Sequence, residues 1–158
     1  MTKSNRFFLF TLGATLLELG IIIWLNSHFY KGVFNLGMII PVMTVRMVVV
    51  YTYTKGKLKK QWEKKAIGLF FIVPIVLFLI GKPTYTYDQA KQLVYESHDV
   101  STIVEYKEES YRNTVPIYTE KIRFFINNRD YHYEADNRFF LVNPRTGEVI
   151  EMKQPYWR

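Results

Sequence analysis

KGKLKKQWEKKAIGLFFIVPIVLFLIGKP, residues 55–83, sets six lysines directly before an apolar run and a Lys-Pro pair directly after it. A run that is apolar on every side lacks the single stripe of a soluble amphipathic helix and suits lipid or the core of a large protein. A chain of 158 residues has no room for such a core. Ala66–Gly81 alone falls short of the roughly 20 helical residues that cross a ~30 Å hydrocarbon layer. It reaches that length when Trp62 and its basic neighbours sit in the membrane interface, so the expected span is 62–81.

Two similar runs precede it. Phe7–Leu25 is interrupted only by Glu18, and Val33–Tyr51 carries Pro41 at its middle and Arg46 near its end. Both are long enough to cross a bilayer. About three transmembrane helices are therefore expected, over 7–25, 33–51 and 62–81, forming a membrane domain of residues 1–81. Lys3 and Arg6 ahead of the first run would also suit a secretory signal. Its apolar part, however, exceeds the ~7 to 15 residues of a signal-peptide centre, and Asn26-Ser27-His28-Phe29 offers no small-x-small cleavage site, so an uncleaved span is preferred.

Charge gives the orientation. Residues 1–81 hold ten Lys and Arg against Glu18 and Glu63, a net of +8, and residues 82–158 hold eleven basic and twelve acidic side chains, a net of −1; together they make the chain's +7. Short loops rich in Lys and Arg stay cytoplasmic. The amino terminus and the basic loop 52–65 are thus expected inside, and everything after Gly81 outside, in a multi-pass protein of the cell membrane. The lysines from Lys55 to Lys65 should also touch anionic lipid head groups. No stacking aromatics or recognition helix accompanies them, so nucleic acid is not an expected partner.

Glu18 and Arg46 are the costly residues, because an ionisable side chain inside a span points to function. Glu18 lies about 10 Å from the outer end of its run, and Arg46 about 8 Å from the inner end of its own. At those different levels Arg46 is expected to snorkel to the interface, and a direct ion pair is the less favoured arrangement. Pro41 and Pro74 fall mid-span, where each should kink its helix.

From Lys82 the composition changes to mixed charge with many tyrosines. Residues 82–158 read as a small extracytoplasmic α+β domain, one helix packed on an antiparallel sheet. Thr84 or Thr86 can cap the helix, Asp88 suits its first turn, and Tyr87, Ala90, Leu93 and Val94 make an apolar stripe ending near Ser97–Asp99. Strands are expected over Val100–Tyr106, Ile117–Ile126 and Glu148–Met152, with one or two more over Tyr131–Glu134 and Phe139–Val142, and 107–113 a loop or bulged hairpin. Asn143-Pro144-Arg145-Thr146-Gly147 has proline and glycine placed for a tight turn.

The helix opening Thr86-Tyr87-Asp88-Gln89-Ala90 and the closing stretch Phe140-Leu141-Val142-Asn143-Pro144-Arg145-Thr146-Gly147-Glu148-Val149-Ile150 resemble the PepSY type of small extracytoplasmic domain of bacterial envelope proteins. The resemblance covers about residues 84–158 and leaves the membrane half unmatched; the charged insertion at Lys107–Arg112 departs from the compact pattern. It implies a non-enzymatic domain that binds or restrains a protein partner, with inhibition of envelope proteases the usual suggestion. It brings no catalytic residues.

Little else in the chain carries chemistry. The sequence has no cysteine, which removes disulfides, thiolate metal sites and thiol nucleophiles. His132 and Glu134 share a strand face, but no third and fourth ligands accompany them, so a surface histidine beside a carboxylate is expected and no metal. Glu105, Glu108 and Glu109 lack the glycine and spacing of a calcium loop. Ser97-His98-Asp99 holds the letters of a triad in adjacent positions that point apart. With no phosphate loop, dinucleotide fingerprint or nucleophile elbow, no cofactor and no enzymatic activity are expected. The tyrosines exceed what so small a domain should bury, so Tyr131, Tyr133, Tyr156 and Trp157 are the candidate partner surface; the competing reading is that strands favour aromatics and that Tyr156 and Trp157 rest in the membrane interface. The expected function is to bind or regulate an envelope protein. The alternatives are an accessory or immunity-type subunit acting through its spans and, with less polar path to support it, a small transporter.

Overall fold

The computed structural model describes residues 3–56, 61–104, 110–117 and 125–156. It divides into two compact units, one of Met1–Trp24 and Leu36–Gly81, the other of Leu25–Asn35 and Lys82–Arg158.

The first unit is built from helices α1 (Lys3–Tyr30, of which Leu25–Tyr30 belong to the second unit), α2 (Ile39–Thr54) and α3 (Gln61–Gly81). Lys3–Tyr30 and Leu36–Thr54 are long and apolar enough to cross a membrane, whereas the apolar part of α3, Lys65–Gly81, is shorter. A 3-10 turn over Leu36–Met38 leads into α2. Pro41 consequently lies in the first turn of α2, where its missing N–H has no intrahelical acceptor to lose. It does not interrupt the helix at mid-length. Pro74, in contrast, is inside α3, and the carbonyl of Phe70, four residues earlier, loses its normal helical donor.

Phe7 meets Tyr53 edge-to-face, and Ser4 Oγ donates to Thr54 O at 2.8 Å, so the start of α1 lies against the end of α2 in antiparallel register. Thr11 and Thr15 are buried; their hydroxyls donate back to the carbonyls of Phe7 and Thr11, which satisfies them within the helix.

The second unit contains α4 (Tyr87–Ser97) and the strands β1 (Ile103–Val104), β2 (Thr114–Pro116), β3 (Arg129–Ala135), β4 (Arg138–Val142) and β5 (Val149–Met152). Thr86 is the N-cap. Its hydroxyl accepts from Gln89 N–H while the Gln89 side chain accepts from Thr86 N–H, and Thr84 has no such partner three residues on. The five-stranded antiparallel sheet runs β1-β3-β4-β5, and β2 pairs with the end of β3 that β1 leaves free. Asp136 and Asn137, both at positive φ, form the two-residue turn between β3 and β4. Gly147 is also at positive φ, and a Cβ there would lie 2.8 Å from the Tyr85 ring, so only glycine fits.

Two expectations change. The segment Thr114–Pro116, just after the expected loop, is a strand, while residues 118–124 of the expected Ile117–Ile126 strand lie outside the described residues. The segment after the first long helix is no bare loop. Val33 enters the core of the second unit, Phe34 forms an antiparallel bridge with Ile126, and Asn127 N–H donates to Val33 O at 2.9 Å. Asn26 clamps Phe34 from both sides, donating to its carbonyl at 3.1 Å and accepting from its N–H at 3.0 Å. Burying two apolar side chains, worth roughly 1.5–3 kcal/mol each, holds Val33 and Phe34 in the second unit, Val33 within its core cluster, and the second long run accordingly starts at Leu36.

Candidate functional site

Glu18 and Arg46 are in contact. Arg46 Nη1 donates to Glu18 Oε2 at 2.6 Å, and the Arg46 side chain is fully buried. This corrects the expectation of a snorkelling Arg46 at a separate level. Side chains on a helix lean toward its N-terminus. In antiparallel α1 and α2 the two residues therefore lean toward each other, and the long arginine stem closes the difference in level.

A third helix completes the cluster. Arg46 Nη1 also donates to Phe70 O at 3.4 Å, the carbonyl that Pro74 releases, and the guanidinium carbon stands 4.5 Å over the Phe71 ring. One cation thus binds a carboxylate of α1, a backbone oxygen of α3 and an aromatic face of α3. Glu18 Oε1 and Arg46 Nε and Nη2 have no hydrogen-bond partner among the described residues. A buried pair left partly unsatisfied is a poor stabiliser compared with apolar packing. Chemically, the cluster can hold three helices in one register and neutralise a charge inside an apolar unit.

In the second unit the tyrosine surface contracts. Tyr131 and Tyr133 are fully buried, donating to the carbonyls of Tyr85 and Tyr87, and burial pushes both phenols well above the ordinary tyrosine range. They are core, packed around Tyr87 beneath α4, and not a partner surface. Their register explains this: Tyr131 lies opposite Val142 and Tyr133 opposite Phe140, all on the face that α4 covers. Tyr156 is exposed, as are Tyr95, Val104 and Ile150. Trp157 lies outside the described residues.

His132 is likewise buried and stacked on Phe139, so it is not the expected surface histidine. Burial pulls its pKa down to about 4. Among the described residues no group of three His, Asp or Glu side chains could hold a metal ion. Glu105, Glu108 and Glu109 lie outside the described residues.

Ser97 Oγ and His98 Nδ1 do approach to 2.9 Å, with His98 Nε2 4.0 Å from Glu151. The serine proton, however, goes to Leu93 O at 2.6 Å, and Glu151 is held by both arms of Arg138. That arrangement fastens the end of α4 near β5 and leaves no activated hydroxyl. The Arg46 bond to the proline-freed Phe70 carbonyl and the Asn26 clamp are the contacts that sequence reasoning missed. Pro74 minus four was the available signal for the first.

Comparison with known proteins finds no matching family model, no matching curated protein and no matching solved structure.

Proposed function

We propose that the chain is a multi-pass cell-membrane protein with three helices in the bilayer and an extracytoplasmic α+β domain that binds or regulates an envelope protein, without catalysis of its own. The observation that carries the membrane placement is the apolar exterior of the first unit. Thr11, Thr15 and Arg46 are buried, whereas Phe10, Leu16, Leu17, Val48, Leu69 and Ile80 are exposed. A soluble monomer rarely shows contiguous apolar surface beyond a few hundred Å². A core helix of a soluble protein would be mostly buried. A cleaved signal is also disfavoured, since α1 supplies Glu18 to one unit and Asn26 to the other.

The partner reading rests on the PepSY-like pattern and on the exposed Tyr156, Tyr95, Val104 and Ile150. The lysine distribution supports an inside amino terminus and an outside domain. The buried Glu18–Arg46 pair favours the second reading, an accessory or immunity-type subunit acting through its helices. Affinity capture from detergent-solubilised membranes separates the two. If the outer domain binds the partner, Tyr156→Asp with Ile150→Asp abolishes capture and Glu18→Gln preserves it. The converse result overturns the outer-domain reading in favour of the helices.

A further inference from the structure

We propose that the first unit holds one anionic phospholipid, in a cavity of about 600 Å³ formed by Lys3, Ser4 and Phe7 of α1, Tyr53 of α2, and Ile67 and Gly68 of α3. The inference rests on the membrane placement proposed above and goes beyond general attraction of lysines to lipid, because it names a built site. Its volume falls in the range of small-molecule sites.

The lining divides in two. Phe7, packed edge-to-face on Tyr53, and the buried Ile67 make an apolar wall. Lys3 brings a cation to the same cavity, and the Ser4–Thr54 hydrogen bond keeps that turn of α1 against the end of α2. An amphiphile with a charged end and an alkyl chain matches both halves, whereas a free phosphate would leave the wall uncovered.

Gly68 is the lining position best suited to probing the cavity. Glycine in a helix interior is unfavourable, and a Cβ at Gly68 would meet nothing within 4 Å, so close packing does not demand it. A larger side chain at this lining position would enter the cavity. Charge decides the class of head group. Of the ten basic residues in 1–81, eight lie at 3–6 and 55–65, stretches that contain or adjoin lining residues in sequence, with Glu63 the one carboxylate among them. Such a setting favours a net-negative phosphodiester over a zwitterion.

The test uses the full-length purified protein in mild detergent, with lipid retention read by native mass spectrometry and thermal stability read in parallel. Phosphatidylglycerol should be retained and should raise the unfolding temperature, and phosphatidylcholine and glycerol 3-phosphate should do neither. Lys3→Gln should weaken phosphatidylglycerol binding about fivefold. Gly68→Leu should fill the cavity and abolish the preference while leaving stability in phosphatidylcholine unchanged; Gly68→Ala, which narrows the cavity and favours the helix, should give an intermediate preference even if Gly68→Leu fails to fold. Equal retention of the two lipids, equal binding of glycerol 3-phosphate, or full preference in the Gly68 variants would overturn the site. A chain released from membranes by alkaline carbonate would defeat the membrane placement itself; a membrane-integral chain indifferent to phosphatidylglycerol would defeat only the lipid site.

Discussion

The two units of this protein differ in what they turn outward. In the helical unit the buried positions include Thr11, Thr15 and a complete arginine, while Phe10, Leu17 and Ile80 face outward. In the α+β unit Val33, Tyr131, Tyr133, Phe140 and Val142 are inside, and the charged Arg138 and Glu151 pair on the surface. One amino-acid alphabet thus produces a largely apolar exterior in one unit and a more polar one in the other. On the membrane placement proposed above, lipid covers the helical unit and its exposed apolar surface carries no penalty. Where water covers the exterior, apolar burial drives the packing.

The largest expected effect strikes the polar contact of the helical unit. Glu18→Leu leaves the Arg46 guanidinium buried without its carboxylate and should destabilise that unit by about 3–5 kcal/mol. Glu18→Leu combined with Arg46→Met should recover most of the loss, because the pair as a whole is a weak stabiliser. Thermal unfolding in detergent reads this, and a double variant as unstable as the single one would show the pair to be more than a locked contact.

The α+β unit should instead respond to acid. His132 has an ordinary pKa near 6.5 when unfolded, and burial lowers it to about 4 in the folded unit. Below pH 6.5 the unfolded chain takes up a proton that the folded one refuses, so stability falls with pH and levels off below about 4. The full loss is on the order of 3 kcal/mol. Denaturant titrations of the full-length protein between pH 7 and 4, followed by tyrosine near-ultraviolet circular dichroism, should show the decline, and His132→Leu should remove that part of it. An equal decline in both proteins would place the acid sensitivity elsewhere.

The smallest effect tests the local design of α4. Thr86→Ala removes one half of the capping box and should cost about 1 kcal/mol. Amide hydrogen exchange at Gln89 and Ala90 should accelerate while exchange in the helical unit stays unchanged; acceleration in both would show that the units do not fold by separate rules.

The sequence made the two kinds of region readable but not all of their contacts. Apolar runs broken only by Glu18 and Arg46 marked the long helices, and the Thr86-x-x-Gln89 spacing with the stripe through Val94 marked α4. The ion pair was hidden, because run lengths give depth at the backbone while lysine-length side chains reach several ångströms along the helix axis. Tyr131 and Tyr133 looked like surplus aromatic surface since their neighbour His132 is also buried, and a strand covered on both faces shows no alternation to read. Val33 and Phe34 were indistinguishable from the apolar run that follows them. Only positive φ at Lys31 and Gly32 marks the point where the chain leaves α1 for the second core.

The absence of native cysteine allows the central claim to be tested at single introduced thiols. Gln92→Cys on the exposed side of α4 and Lys55→Cys after α2 are each exposed positions. In intact cells a membrane-impermeant maleimide should label Gln92→Cys directly and Lys55→Cys only after permeabilisation. Equal labelling of both without permeabilisation, or protection of both, would contradict a bilayer between the lysine-rich end of the helices and the α+β unit.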